Sequence, residues 1–120
     1  AEMGPAACWL WAGDGWEQRA GRYVRGILAV EIRSPVPKAT GQCWAEAYGI
    51  ELMPAGEGWR LEMDGTEIRF AFDAAALEPA LIAIDVDAVD LAAICAAADG
   101  LGLERDGHVV TVCGVAFNFL

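Results

Sequence analysis

The sequence predicts an α+β fold of two tandem βαβββ modules, and three observations carry that expectation. From Trp59 to Phe72, apolar and polar residues alternate up to Met63, Asp64-Gly65 breaks the pattern, and alternation resumes through Ile68, Phe70 and Phe72. Asp-Gly between two alternating runs is a hairpin signal, because both residues tolerate the positive φ of a type I′ turn. The C-terminal stretch from His108 to Leu120 repeats the design, with Leu61 answering to Val110, Met63 to Val112, Gly65 to Gly114, Ile68 to Phe117 and Phe70 to Phe119. Each hairpin also follows the same order of elements: a strand, a helix and a short strand.

Residues 1–23 form a tryptophan-rich N-terminal segment. Cys8-Trp9-Leu10-Trp11-Ala12, Gly13-Asp14-Gly15 and Trp16-Glu17-Gln18-Arg19-Ala20 read as a small hairpin around a Gly-Asp-Gly turn. Three tryptophans in so short a stretch need cover, either from the rest of the chain or from a second subunit, or else they line a ligand site.

The first module spans 24–73. Gly26 to Arg33 is a strand with Leu28, Val30 and Ile32 on one face and Ile27, Ala29, Glu31 and Arg33 on the other. Pro37 opens a helix that ends at Tyr48-Gly49, since proline in the first turn sacrifices no hydrogen bond and glycine suits the C-cap. Ile50 to Met53 is a short strand, Pro54 to Gly58 a loop, and the Trp59–Phe72 hairpin follows.

The second module spans 79–120. Ala80 to Val86 is a strand, and residues 87–99 are a helix carrying Leu91, Ile94, Cys95 and Ala98 on one face. Asp87 and Asp90 favour its N-terminus through the helix dipole, and Gly100 closes it. Gly102 to Arg105 is a short strand, Asp106-Gly107 a turn, and the last hairpin ends the chain.

Composition narrows the function. A chain of 120 residues, 56% hydrophobic with five tryptophans, is long enough to bury a core. The net charge of −10, with no basic patch, opposes binding to nucleic acid. Neither a signal peptide nor an apolar run of about 18 residues is present, so no membrane partner and a cytoplasmic location are expected. Cys8, Cys43, Cys95 and Cys113 form no CxxC pair, and buried free thiols are expected of them.

The tandem βαβββ order, with first strands Ile27-Leu28-Ala29-Val30-Glu31-Ile32 and Leu81-Ile82-Ala83-Ile84-Asp85-Val86, resembles the vicinal oxygen chelate superfamily of glyoxalase-like and bleomycin-resistance-like proteins. A ferredoxin-like sandwich would leave one strand over in each half. The resemblance implies a curved mixed sheet around a cavity, with the helices on the outer face. It also implies a divalent metal held by a histidine from the first strand of a module and a glutamate from the last. The matching first-strand positions hold Ile27 or Ala29, and Leu81 or Ala83; the last-strand positions hold Arg69 or Ala71, and Asn118 or Leu120. None is a good metal ligand, and no metal or other cofactor is expected.

Alternation instead directs Glu31, Arg33, Arg69, Asp85 and Asn118 inward, among Ile27, Ala29, Leu81, Ala83, Trp59 and Met53. One reading makes Glu31 with Arg33 or Arg69 a structural ion pair at the cavity rim. The functional reading makes Glu31, Arg33, Trp59, Arg69, Asp85 and Asn118 ligand-binding residues of a metal-free small-molecule binding protein that sequesters a cationic or aromatic compound. The alternative is a lyase or isomerase using a non-standard metal site or a carboxylate base, with Glu31 and Asp85 as its catalytic candidates. His108, beside the Asp106-Gly107 turn, is expected to be an exposed turn residue. A homodimer is expected on two grounds: modules of this superfamily often pair between chains, and Trp9, Trp11 and Trp16 could anchor an interface.

Overall fold

The computed structural model describes residues 22–120. The expectations for the Trp9–Trp16 stretch and for Cys8 lie outside the described residues. Within them the elements are β1 (Val24–Ser34), α1 (Pro37–Tyr48), β2 (Met53–Ala55), β3 (Gly58–Met63), β4 (Thr66–Phe72), β5 (Ala80–Ala88), α2 (Leu91–Gly100), β6 (Glu104–Asp106), β7 (Val109–Val112) and β8 (Val115–Phe119).

All the strands join one mixed, open, curved sheet in the order β2-β3-β4-β1-β5-β8-β7-β6. Each half has the βαβββ order that the internal repeat predicts. The halves meet through their first strands, β1 and β5, which run antiparallel, while β1 pairs with β4 and β5 with β8 in parallel.

The two long hairpins turn as their sequences direct. Asp64 and Gly65 have φ of 32° and 82°, and Cys113 and Gly114 have 52° and 79°. Both central residues of each two-residue loop are thus in the positive-φ region, as a type I′ turn requires. Cys113 stands where the first hairpin has aspartate, which is why the repeat is easier to see from the glycines than from the turn as a whole.

Helix α1 runs from Pro37 to Tyr48, and Gly49, with a φ of 68°, closes it in the left-handed cap conformation. No side chain caps its first turn directly, but the fully buried Ser34 hydroxyl just ahead of it accepts from the Val36 N–H at 3.0 Å and pairs with the Thr40 hydroxyl at 2.8 Å. Helix α2 begins later than its acidic residues suggest. Asp90 is its N-cap, accepting from the Ala93 N–H at 3.0 Å. Asp87 lies in β5 and binds Arg25 through contacts of 3.1 and 3.2 Å.

Both short strands fall later than expected, β6 at Glu104–Asp106 instead of Gly102 to Arg105, and the first by more. Sequence places it at Ile50 to Met53, but β2 runs Met53–Ala55 through a proline. Proline is tolerated there because β2 is an edge strand and its other side has no ladder to complete. Ile50 and Leu52, released from pairing, pack on the core instead.

The core of the first half consists of Ile32, Ala45, Leu61, Ile68 and Phe70, with Val30, Trp44 and Trp59 packed around it. The row Ile68–Val30–Ile84–Phe117 crosses the four central strands in register. Its first members meet the side of the sheet packed by α1, and Phe117 lines a groove with α2 residues. Both helices therefore cover the same face, and the alternate residues occupy the other.

Cys43 and Cys113 are exposed and Cys95 is half-buried. The expectation of buried thiols is thus corrected for the first two: Cys43 falls on the outer side of α1, and Cys113 at a hairpin tip. No helix among the described residues is long and apolar enough to cross a membrane.

Candidate functional site

Side chains on the face opposite the helices are set by strand parity. Because Val30, Ile32, Ile68 and Phe70 lie on the helix side, Glu31, Arg33 and Arg69 lie on the open side. Register then fixes two adjacent rows. One is Arg69–Glu31–Ala83–Ala116, and the next is Glu67–Ala29–Asp85–Asn118.

These rows bring together the residues that alternation selects. Arg69 reaches diagonally to Asp85, donating from Nη1 to Oδ2 at 2.9 Å, while Asn118 donates to the other Asp85 oxygen at 2.8 Å. Glu31 lies between two guanidinium groups, 3.6 Å from Arg69 Nε and 3.5 Å from Arg33 Nε. Ala83 in the first row and Ala29 in the second are small and buried, and leave Arg69 a path to Asp85.

The two carboxylates differ in how they are held. Burial acts to raise the pKa of Asp85, but the hydrogen bonds from Arg69 and Asn118, with the Arg69 charge, outweigh it and hold the carboxyl below its usual range. For Arg69, burial acts to lower the pKa, and the hydrogen bond and charge of Asp85, with the charges of Glu31 and Glu67, raise it above its usual value. Among the described residues, Glu31 has only the two longer ion-pair contacts and no hydrogen bond of ordinary length. Asp85 is a fixed acceptor, whereas Glu31 is held by charge alone.

A pH dependence follows from Asp85. Its folded pKa lies below the unfolded value of about 3.9, so its contribution to stability is complete above that value and is lost as pH falls through the folded pKa. The melting temperature of Asp85→Asn is expected to lie below that of the unaltered chain at pH 6 to 7. The gap should close as both are titrated from about pH 4 towards pH 2. A gap that stays constant down to the lowest pH would show that the Asp85 charge does not stabilise the fold.

The polar face extends further than sequence reasoning took it. Arg60 Nη1 lies 3.0 Å from Glu62 and 3.8 Å from Glu67, and Glu67 lies 3.9 Å from Arg69. Register sets Arg60 opposite Arg69 and Glu62 opposite Glu67, like charge against like, and the contacts from Arg60 and Arg69 to Glu67 offset that repulsion. The Arg60 Nε–H is buried without a partner among the described residues. These residues carried a legible signal, since the alternation that puts Leu61 and Met63 on the helix side puts Arg60 and Glu62 on the other.

Three expected lining residues sit differently. Trp59 pairs with Phe70 and so shares the helix side, where it packs against the core with Lys38 Nζ 5.1 Å from its ring. It borders a cleft of about 330 Å³ beside Glu31 and Arg69, whose other walls include Ala55, Glu57 and Gly58, but it does not stand among the charged residues. Register shifts between Ile27 and Ala29 and between Glu31 and Ile32 interrupt the parity of β1. Ile27 consequently pairs with Val86, and Leu81 with Ile32, instead of continuing the Glu31 row. His108 is exposed in the β6–β7 turn, as its position beside Gly107 predicts.

The strand positions where a vicinal oxygen chelate protein would carry metal ligands hold unsuitable groups. Ala29 and Ala83 offer no donor, and the Arg69 cation already bridges the carboxylates of Glu31 and Asp85. Among the described residues, no group of three His, Cys, Asp or Glu side chains comes together to hold a metal ion. The described residues at these positions do not fit a divalent ion.

Two βαβββ halves joined through their first strands into one curved sheet, with both helices outside, define the vicinal oxygen chelate fold, and this chain has it. Among solved structures it is similar to methylmalonyl-CoA epimerase from Mycobacterium tuberculosis, with a TM-score of 0.58 and 13% identity over 83% of this chain and 89% of that one. It is also similar to two variants of Streptomyces coelicolor methylmalonyl-CoA epimerase in complex with 2-nitronate-propionyl-CoA, each with a TM-score of 0.57 and 13% identity over 80% of this chain and 96% of that one. No protein-family model and no curated protein matches the sequence.

Proposed function

We propose that the chain is an isomerase or lyase acting on a small carbonyl compound, with Glu31 as a metal-independent carboxylate base. The observation that carries this reading is the unequal holding of the two carboxylates around Arg69: Asp85 is fixed by two short hydrogen bonds, and Glu31 by charge alone. In the proposed step, Glu31 removes a proton from the carbon next to the substrate carbonyl. The electron pair of the broken C–H bond moves into the new C=C bond, and the carbonyl π pair moves onto oxygen. Arg69 has N–H donors beyond the one given to Asp85 and can stabilise that enolate oxygen. Asp85 and Asn118 position Arg69, and delivery of a proton from solvent water to the opposite face of the same carbon, with the enolate pair returning to the carbonyl and Glu31 releasing its proton to solvent, completes an epimerisation.

The likeness to methylmalonyl-CoA epimerases supports the isomerase direction over simple sequestration. The binding-protein reading retains one support of its own, that every carboxylate in the two rows has a cationic neighbour without a substrate.

Proton NMR in D2O tests the proposal directly. The chain is incubated with a panel of 2-oxo acids and α-substituted acyl thioesters, and loss of the α-proton signal is followed. Catalysed exchange in at least one class is expected. Saturable binding to the same panel without exchange would overturn the enzymatic reading in favour of a binding protein.

A further inference from the structure

The cleft of about 330 Å³ beside Glu31 and Arg69 has a third charged wall residue, Glu57, that the proposed chemistry does not use. Ala55 pairs with Gly58, so Gly56 and Glu57 form the tight turn between β2 and β3, and Glu57 borders the cleft from that turn. The start of β3 is drawn closely onto β4: a Cβ at Gly58 would collide with the Phe70 carbonyl oxygen, and glycine lets the two backbones meet. Arg69 is committed to Asp85 and Glu31, whereas Glu57 makes no ion pair among the described residues. Two acidic groups against one basic group leave the cleft with an excess of negative charge, and Glu57 is its uncompensated member.

An aromatic ring accompanies that charge. Extending the Trp59–Phe70 register by two residues sets Glu57 level with Phe72. Phe72 also lines the cleft, is 63% exposed, and packs on no other aromatic ring among the described residues. Trp59, the second ring at the cleft, already has Lys38 Nζ 5.1 Å from its centroid.

We infer that the cleft recognises an alkylammonium group at the far end of the substrate, with Glu57 as its counter-ion and Phe72 as the ring beside it. A carboxylate and the negative face of an aromatic ring both attract a cation, and both disfavour an anion in the same place. The volume equals that of about eleven water molecules at about 30 Å³ each, so the cleft takes a small molecule and not a long carrier. The inference deepens the reading of Glu31 as the base and rests on the substrate lying in the cleft beside it.

Three S-ethyl thioesters with the same 2-methyl acyl chain, ending in trimethylammonium, tert-butyl or carboxylate, provide the test. Trimethylammonium and tert-butyl have the same shape and differ in charge. Dissociation constants for the full chain are measured by NMR titration, and α-proton exchange is followed separately in D2O. The trimethylammonium compound is expected to bind roughly tenfold more tightly than the tert-butyl one, with the carboxylate weakest. Glu57→Gln should reduce that preference to less than about twofold, and Glu57→Lys should reverse the order in favour of the carboxylate. Equal or undetectable affinities in the unaltered chain, or a preference that survives Glu57→Gln, would overturn the inference whatever the exchange rates. A Glu57-dependent preference without exchange of any of the three compounds would uphold it and overturn the role of Glu31 as a base.

Discussion

Glu31→Gln is expected to slow α-proton exchange by roughly 10²- to 10⁴-fold, the usual contribution of a positioned general base, or about 3–5 kcal/mol of barrier. Glutamine keeps the shape of the side chain but cannot accept the proton. Arg69 stays anchored, because its short bond goes to Asp85 and not to Glu31. Substrate binding should therefore change much less than turnover. The fold should also tolerate the change, since Glu31 is held only by ion pairs of 3.5 and 3.6 Å, a class of contact worth about 0–1 kcal/mol when solvent has access. Asp85→Asn makes the informative contrast. It loosens Arg69 without removing the base, so it should weaken exchange less than Glu31→Gln and should lower acid-sensitive stability, which Glu31→Gln should not. Exchange in Glu31→Gln equal to that of the unaltered chain would remove Glu31 from the chemistry.

Much of this arrangement was legible because it depends on local rules. Asp64-Gly65 and Gly114 mark two tight turns, Pro37 and Gly49 bracket α1, and parity along β1, β4, β5 and β8 directs Glu31, Arg69, Asp85 and Asn118 to one face. The less legible features depend on pairing between strands. The register shifts that move Ile27 and Leu81 out of the Glu31 row leave no mark in either strand alone. Asp87 could serve a helix dipole or a neighbouring strand equally well by sequence, and Arg25, 62 residues away in the chain, makes it a strand residue. Trp59 shows the limit of residue type as a guide. An indole suits a ligand pocket and a core alike, and its register with Phe70 places it on the core side. The diagonal reach of Arg69 across Ala29 and Ala83 was likewise hidden, because it requires β4, β1 and β5 to be neighbours.

Phe70→Ala should be the most damaging single change to the fold. Phe70 is 1% exposed on β4, its ring meets that of Trp44 edge-on at 6.0 Å, and α1 comes so close at Gly41 that a methyl group there would lie 3.2 Å from the phenyl ring. Removing the ring takes away its transfer free energy and leaves a cavity, because the glycine contact brings α1 near the sheet but offers no side chain to move into the space. Such truncations cost about 3–5 kcal/mol. Domains of this kind have only about 5–15 kcal/mol of stability, so the loss should shift the urea midpoint substantially at nearly constant slope. Phe72→Ala provides the control on the same strand and the same face. Phe72 is 63% exposed, and its truncation should stay near the 0.5 kcal/mol typical of surface positions. Comparable losses for the two variants would mean that the sheet buries a different part of β4 beneath α1. A large loss at Phe70 alone would locate the core at the centre of the first half, directly behind the strand that carries Arg69.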